Sequence, residues 1–415
     1  MDTFIKNIQQ EHCFLQGFAS RPLPVPNFDN LQGYDKYISL LRQALVTNGI
    51  NNLAEISETS HQGLCEYDFF HNKIKYGYQR YDLELLQKNW LSYLYNCPND
   101  SLDSFGFFTS SGMGAICSVL FALQDTMPSV KNFQFTTLPY FETFFLIKKF
   151  FRDIDITYLD ESSINTKYVA WIDSSSPCYK FNLSMQDNPE VIIFDTSCIL
   201  PNDLNFIKTI DYSITMNIPL IIIRSHIKLD NFSTEYARLG SILFLPNRSG
   251  FDNERFIDVL KNSIGFCGHN FFPQNLYPWL GNSTFFDINQ EKQDRVMHFC
   301  QTVHREMVNY SPLMRSNLLS HENNQYFTIR LPHYEGDPKL LAKRIAREAH
   351  EHHLPIKATP SFGLNFVAID GFPWYLDHNT KHLRIAASDL PIHYANMIGS
   401  FIANKVEKYV YAKST

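Results

Sequence analysis

The chain has 415 residues, 44% hydrophobic and 19% charged, which excludes a disordered or fibrous protein and leaves room for a large core shared between two domains. Its net charge of −6 comes without a basic stripe interleaved with aromatics, so nucleic acid is not an expected partner. The eight cysteines are scattered with no Cys-x-x-Cys pair, as expected of reduced thiols in a cytoplasmic protein.

Residues 1–60 contain Pro22, Pro24 and Pro26 and a helical patch over 37–46, the pattern of an N-terminal arm. Met1-Asp2-Thr3-Phe4-Ile5-Lys6 lacks the regions of a signal peptide, and no apolar stretch is long enough to span a bilayer, so no membrane is expected as a partner. Asp82 is a plausible cap for a helix over 83–95, where Leu83, Leu86, Trp90, Tyr93 and Leu94 recur at helical spacing. Residues 107–113 suggest a short strand running into a helix start, with Met113, Ile116, Leu120 and Phe121 on one face. Backbone N–H groups there could cradle a phosphate, approached closely because Gly112 has no side chain. Taken alone, that turn is more simply a serine-capped helix with a packing glycine.

From there strands are expected over 132–137, 154–159, Tyr168–Asp173, 191–194 and 241–245, with an apolar helix over 141–151. The run Leu220 to Ile223 is continuously apolar and mostly β-branched, as a strand covered on both faces should be. Strands rich in Val and Ile between helical stretches imply a mostly parallel sheet with helices on both faces. A loop-rich segment, 246–279, follows. The remainder has the pattern of a smaller α/β domain: a helix over 291–308, a strand Tyr326–Leu331, a helix opened by Asp337-Pro338 and running to 353, strands Ile356–Ala358 and 383–386, and a last helix over 392–409. The expected division is an arm (1–60), a large domain (61–280) and a small domain (281–415).

The chemistry gathers at one sheet edge. Ser225-x-x-Lys228 stands where the buried strand leaves the sheet, the edge at which open α/β sheets place ligands. Lys228 alone is more simply the first solvated residue after a strand. A partly desolvated lysine there, however, becomes a nucleophilic amine able to form a Schiff base. Asp195 closes the strand over 191–194, so its carboxylate should emerge at the same rim. A phosphate cup at Gly112, a buried carboxylate and that lysine are the three parts needed to hold pyridoxal 5'-phosphate. Ser225 would help take the phosphate, and Tyr140 could stack on the ring.

Residues 76 to 388 resemble a divergent member of the fold type I pyridoxal-phosphate enzymes, nearest to the cysteine/methionine metabolism family of cystathionine lyases and synthases and methionine lyase. Tyr78-Gln79-Arg80 resembles the family's Tyr-x-Arg, which reaches the neighbouring subunit's cofactor phosphate. Ser111-Gly112-Met113 matches its Ser-Gly-Met phosphate turn, and Tyr140-Phe141-Glu142-Thr143 keeps the outer residues of its Tyr-Gly-Gly-Thr element. Asp195 resembles the pyridine-nitrogen partner, and Ser225-x-x-Lys228 the Ser-x-x-Lys of the aldimine lysine. Ser361-Phe362-Gly363 falls where the family has Ser-Leu-Gly, and Arg384 where its arginine forks onto the substrate α-carboxylate. The departures are Phe141-Glu142 for paired glycines, Ser176-Pro177 for Asn-Pro, Thr196 after the aspartate, and Ile227 in place of a phosphate-binding hydroxyl. Arg238, in an aminotransferase-like Arg-x-Gly, could replace that hydroxyl.

The resemblance implies a pyridoxal-phosphate lyase or transferase of amino-acid metabolism, acting by elimination or replacement at Cβ or Cγ. Lys228, Tyr140 and Asp195 would carry catalysis, and Arg384 with Ser361 would hold an amino-acid substrate. A homodimer or homotetramer with shared active sites is implied as well. Transamination and a degenerate cofactor-binding protein remain alternatives. The Ser-x-x-Lys of β-lactamases is set aside because Ser-Asp-Asn and Lys-Thr-Gly partners are missing. No metal is expected: of His350, His352 and His353 only the first and last share a helical face, and Cys267-Gly268-His269 has no third partner.

Overall fold

The computed structural model describes residues 1–53, 65–69, 72–76, 84–97, 103–136, 139–158, 167–176, 181–184, 187–246, 251–320, 325–332, 334–373 and 381–411. The chain opens with two helices, α1 (Asp2–Gln16) and α2 (Leu31–Leu53). α1 was not expected from the sequence. It buries Phe4, Ile8, Glu11 and Leu15 along one side, with Phe4 edge-on to Tyr34 of α2 at 5.1 Å. A small antiparallel sheet follows, β1 (Cys65–Phe69), β2 (Asn72–Tyr76) and β3 (Glu84–Leu85). The helix expected over 83–95 is shorter, α3 (Trp90–Tyr95), because Asn89 caps it by accepting from the Ser92 N–H at 2.9 Å.

The large sheet is built from β4 (Phe105–Thr109), α4 (Gly112–Thr126), β5 (Asn132–Phe135), α5 (Phe141–Phe150), β6 (Asp155–Tyr158), β7 (Tyr168–Asp173), β8 (Val191–Asp195), α6 (Leu204–Met216), β9 (Leu220–Ser225), α7 (His226–Leu229), β10 (Gly240–Leu245) and α8 (Asn253–Phe266). Its order is β4-β10-β9-β8-β7-β5-β6. The strands from β9 to β6 pair in parallel, while β10 runs antiparallel to both β9 and β4. Alternate residues feed two cores. Val169, Trp171, Val191, Ile193, Ile221 and Ile223 face α4 and α8, whereas Ala170, Ile172, Ile192, Phe194, Leu220 and Ile222 face the opposite layer with α6. This double covering is why these strands carry unbroken apolar runs. The segment expected to be loop-rich contains α8. Its buried Phe256, Leu260 and Ile264 recur every fourth residue, and Asp252 caps it from the Arg255 N–H.

The last part contains α9 (Ser283–Tyr310), α10 (Pro312–Asn317), β11 (Leu318–Ser320), β12 (Tyr326–Leu331), α11 (Pro338–Glu351), β13 (Ile356–Ala358), β14 (Val367–Pro373), β15 (Lys381–Ala386) and α12 (His393–Val406). Its sheet has the order β11-β12-β15-β14-β13. Asp337 caps α11 and Pro338 fills its first position, as the sequence suggested. The buried Glu11, Lys292 and Asp389, with the partly exposed Arg295, tie α1 to α9 and to the segment after this sheet, with Lys292 2.7 Å and Arg295 2.8 Å from Glu11. No helix among the described residues is long and apolar enough to cross a membrane.

Candidate active site

Three parallel strands deliver the site. β7 and β8 end side by side with Asp173 opposite Asp195, and Asp195 lies opposite Ile223 of β9. Asp173, Asp195 and Ser225 therefore leave the sheet at one edge. The start of α4 meets them there. Ser111 caps that helix, its hydroxyl accepting from the Gly114 N–H at 3.0 Å. A Cβ on Gly112 would lie 2.7 Å from the Ser225 Cβ, so only glycine lets the helix start seat against the strand end. Met113 turns its side chain into the core behind the sheet, so what it offers an anion is its backbone N–H.

Lys228 stands in α7, half-buried. Its Nζ donates to Ser361 Oγ at 3.1 Å and lies 4.9 Å from the centre of the Phe362 ring. Burial lowers its pKa and the Arg384 charge adds to the effect, while Cys198, Glu142 and Asp195 pull the other way. Gly363 has φ +76°, and a Cβ there would meet the Lys228 carbonyl oxygen at 1.7 Å. This contact holds the Ser361 loop against the lysine turn. Arg384 arrives from β15, donates to the Pro360 carbonyl, and lies 5.8 and 5.9 Å from the Tyr326 and Phe362 rings.

Asp195 is 6% exposed. Burial raises its pKa; the hydrogen bonds from Ser197, then the charges of Arg224 and Lys228, counter that rise. Asp173 is pushed up to about 7 by burial and by Asp195, against hydrogen bonds from Ser175 and Tyr140. Tyr140 precedes α5 and gives its N–H to Asp173 Oδ2 at 2.6 Å. Its hydroxyl is hydrogen-bonded to Glu142, and burial then the Glu142 charge hold it protonated, while Arg384 favours ionisation. Ser176 is buried and gives its N–H to the Asp173 carbonyl at 3.2 Å. Arg238 is exposed on the segment entering β10, just ahead of Gly240, which pairs with Ser225. Tyr78 and Arg80 lie outside the described residues. Among the described residues there is no group of three His, Cys, Asp or Glu able to hold a metal ion.

No protein-family model matches the sequence, and no curated protein matches it. Solved structures do. The crystal structure of metB from Corynebacterium glutamicum is similar with a TM-score of 0.52 and 13% identity, over 81% of this chain and 88% of that one. The fold is type I of the pyridoxal-phosphate enzymes. Cystathionine gamma synthase from Xanthomonas oryzae pv. oryzae, in complex with aminoacrylate and cysteine, has a TM-score of 0.49 and 11% identity over 73% of this chain and 82% of its own. Cystathionine gamma-lyase from yeast has 0.48 and 12% over 72% and 81%.

Within this fold type I frame, several neighbours of the site escaped the sequence reading. Cys198 is buried beside Asp195, Asp173, Lys228 and Arg384, and burial and the two acids keep it a thiol. More consequential is a buried polar network. Arg224 forks onto both Asp230 oxygens at 2.8 Å and also donates to the carbonyls of Thr196 and Ile199 at 2.7 and 2.9 Å. His226 pairs with Asp230 Oδ2 at 2.7 Å and with Ser241 Oγ at 2.9 Å. Burial opposes the Asp230 charge, yet Arg224 and His226 hold its carboxyl well below the usual range. A charged residue closing an otherwise apolar strand was the available signal.

Asp230→Ala is expected to cost about 3–5 kcal/mol in urea unfolding, because it strands a buried guanidinium, whereas Arg224→Met with Asp230→Leu costs less. The acid pair sets a pH dependence of opposite sign. Asp173 moves from an ordinary 3.8 to about 7, so the folded state holds a proton that the unfolded chain has released across that window. Its contribution to stability is fully present below 3.8 and is lost as pH rises to about 7. Within that window the loss is about 1.4 kcal/mol for every step of one in pH. In cofactor-free protein the stability difference between Asp173→Asn and wild type should therefore shift in favour of the variant as pH rises from 5 to 8. Equal differences at both pH values would contradict the assignment.

Proposed function

We propose that the chain is a pyridoxal-phosphate enzyme acting on an amino acid, with elimination or replacement at Cβ or Cγ as its reaction. The observation that carries this reading is that Asp195 and the turn bearing Lys228 leave neighbouring parallel strands at one sheet edge, where burial lowers the Lys228 pKa and each charge acts on the other. In this proposal residues 61–280 form the cofactor domain and 281–415 the small domain. The donor set fits the cofactor. The backbone at Gly112 and Met113, with Ser111 and Ser225, would take the phosphate, helped by Arg238. Asp195 would face the pyridine nitrogen, Ser176 the ring hydroxyl, and Tyr140 the ring face.

When bound, pyridoxal phosphate supplies an electron sink for negative charge developing at the substrate Cα. The protein does the rest. Asp195, whose burial raises its pKa against the Ser197 hydrogen bonds and the charges of Arg224 and Lys228, would pair with the ring nitrogen and favour its protonated form. Arg384 receives the α-carboxylate in a planar fork, and Ser361 orients the Lys228 amine until substrate enters. Lys228 Nζ then takes the Cα proton, a task suited to an amine whose charged form is already disfavoured. Tyr140, protonated and hydrogen-bonded to Glu142, can steady a departing substituent. Tyr78 and Arg80 are proposed to serve the neighbouring subunit's site, making the protein a homodimer or homotetramer.

Loaded protein should shift its visible spectrum with an amino-acid substrate and release a 2-oxo acid without an amino acceptor. Dependence on a 2-oxo acid acceptor would replace elimination by transamination, and a spectrum indifferent to every amino acid would leave only a binding role. Lys228→Ala should lower turnover by about 10²–10⁴-fold.

A further inference from the structure

The mechanism above leaves one buried carboxylate without a task. Asp173 is 1% exposed and stands beside a second acid, a costly position for a group with a purely structural duty. Its surroundings are specific. Oδ2 accepts the Tyr140 N–H at 2.6 Å, and Oδ1 accepts both the Ser175 N–H at 2.8 Å and the Ser175 hydroxyl at 2.6 Å. All three partners are donors, so the site asks for an acceptor at both oxygens, which a carboxylate provides and an amide does not.

Tyr140 is held at three points. Its N–H is tied to Asp173, its carbonyl accepts from Phe144 N–H at 3.1 Å, and its hydroxyl meets Glu142. Phe144 and Glu142 belong to α5 itself and move with it. Asp173 is the anchor that comes from the sheet. The Ser175 carbonyl in turn accepts the Tyr326 hydroxyl from β12, so the same short run also touches the smaller sheet.

Resting on the cofactor reading, we infer that Asp173 is a positioning residue for Tyr140: by fixing the main chain where α5 begins, it sets the plane in which the tyrosine ring covers the cofactor. It acts through Tyr140 and touches no reacting atom.

The test is a double-mutant cycle on cofactor affinity, read by spectral titration with pyridoxal phosphate at pH 8, where Asp173 is ionised. Asp173→Asn keeps volume but turns an amide N–H toward the Tyr140 N–H. It should weaken binding about tenfold, the size of one stacking contact, and reduce the visible circular dichroism of the bound cofactor. If Asp173 acts through the ring, Asp173→Asn in a Tyr140→Ala background weakens binding no further. Losses that multiply, or an Asp173→Asn protein with wild-type affinity and dichroism, overturn the inference alone. Wild-type protein that takes up no pyridoxal phosphate overturns the cofactor reading and this inference together. Should Asp173→Asn fail to fold, hydrogen exchange in the wild type decides. A protected Tyr140 amide, further protected by cofactor, supports the tether, and exchange at the rate of an open loop overturns it.

Discussion

The arrangement depends on the fork made by Arg224. Its guanidinium grips the carbonyls of Thr196 and Ile199, in the loop that follows Asp195, and both oxygens of Asp230, at the end of the turn that carries Lys228. One side chain thus fixes the distance between the acid and the amine. Because it is buried, its charge is scarcely screened, and it also favours the ionised form of Asp195. A buried ion pair contributes little net stability, and its use here is geometric. Trp279 closes the network by donating to the Asp230 carbonyl at 2.8 Å.

Other side chains brace the same strand ends and helix start. Thr196, which follows the aspartate, spends its hydroxyl on the Ile223 carbonyl at 3.0 Å and on the Tyr95 hydroxyl at 2.8 Å, locking β8 to β9. The Ile227 carbonyl accepts from the Asn231 side chain, stiffening the lysine turn from the other side. Glu142 brings a carboxylate to the Tyr140 hydroxyl.

Much of the scaffold could be read from residue order. Tyr168–Asp173, Tyr326–Leu331 and Ile356–Ala358 fall where the sequence placed them, and the first, buried along its whole length, shows why a strand covered on both faces is readable. Asp337-Pro338 announced α11 for an equally local reason. The convergence of Asp195, Ser225 and Lys228 followed from parallel strands ending together. What stayed hidden depends on contacts between distant segments. α1 is stabilised by Tyr34 and by Lys292 and Arg295, none of them near it in sequence. The Asp173 bond to Tyr140 joins strand end to helix start across 33 positions, and no local pattern encodes it.

The most direct measurement is borohydride reduction of protein exposed to pyridoxal phosphate, followed by peptide mapping. Label confined to Lys228 is the expected result. A protein that remains unlabelled, or that carries the label on another lysine while Lys228 is free, would contradict the central claim that the turn after β9 presents a cofactor-binding amine.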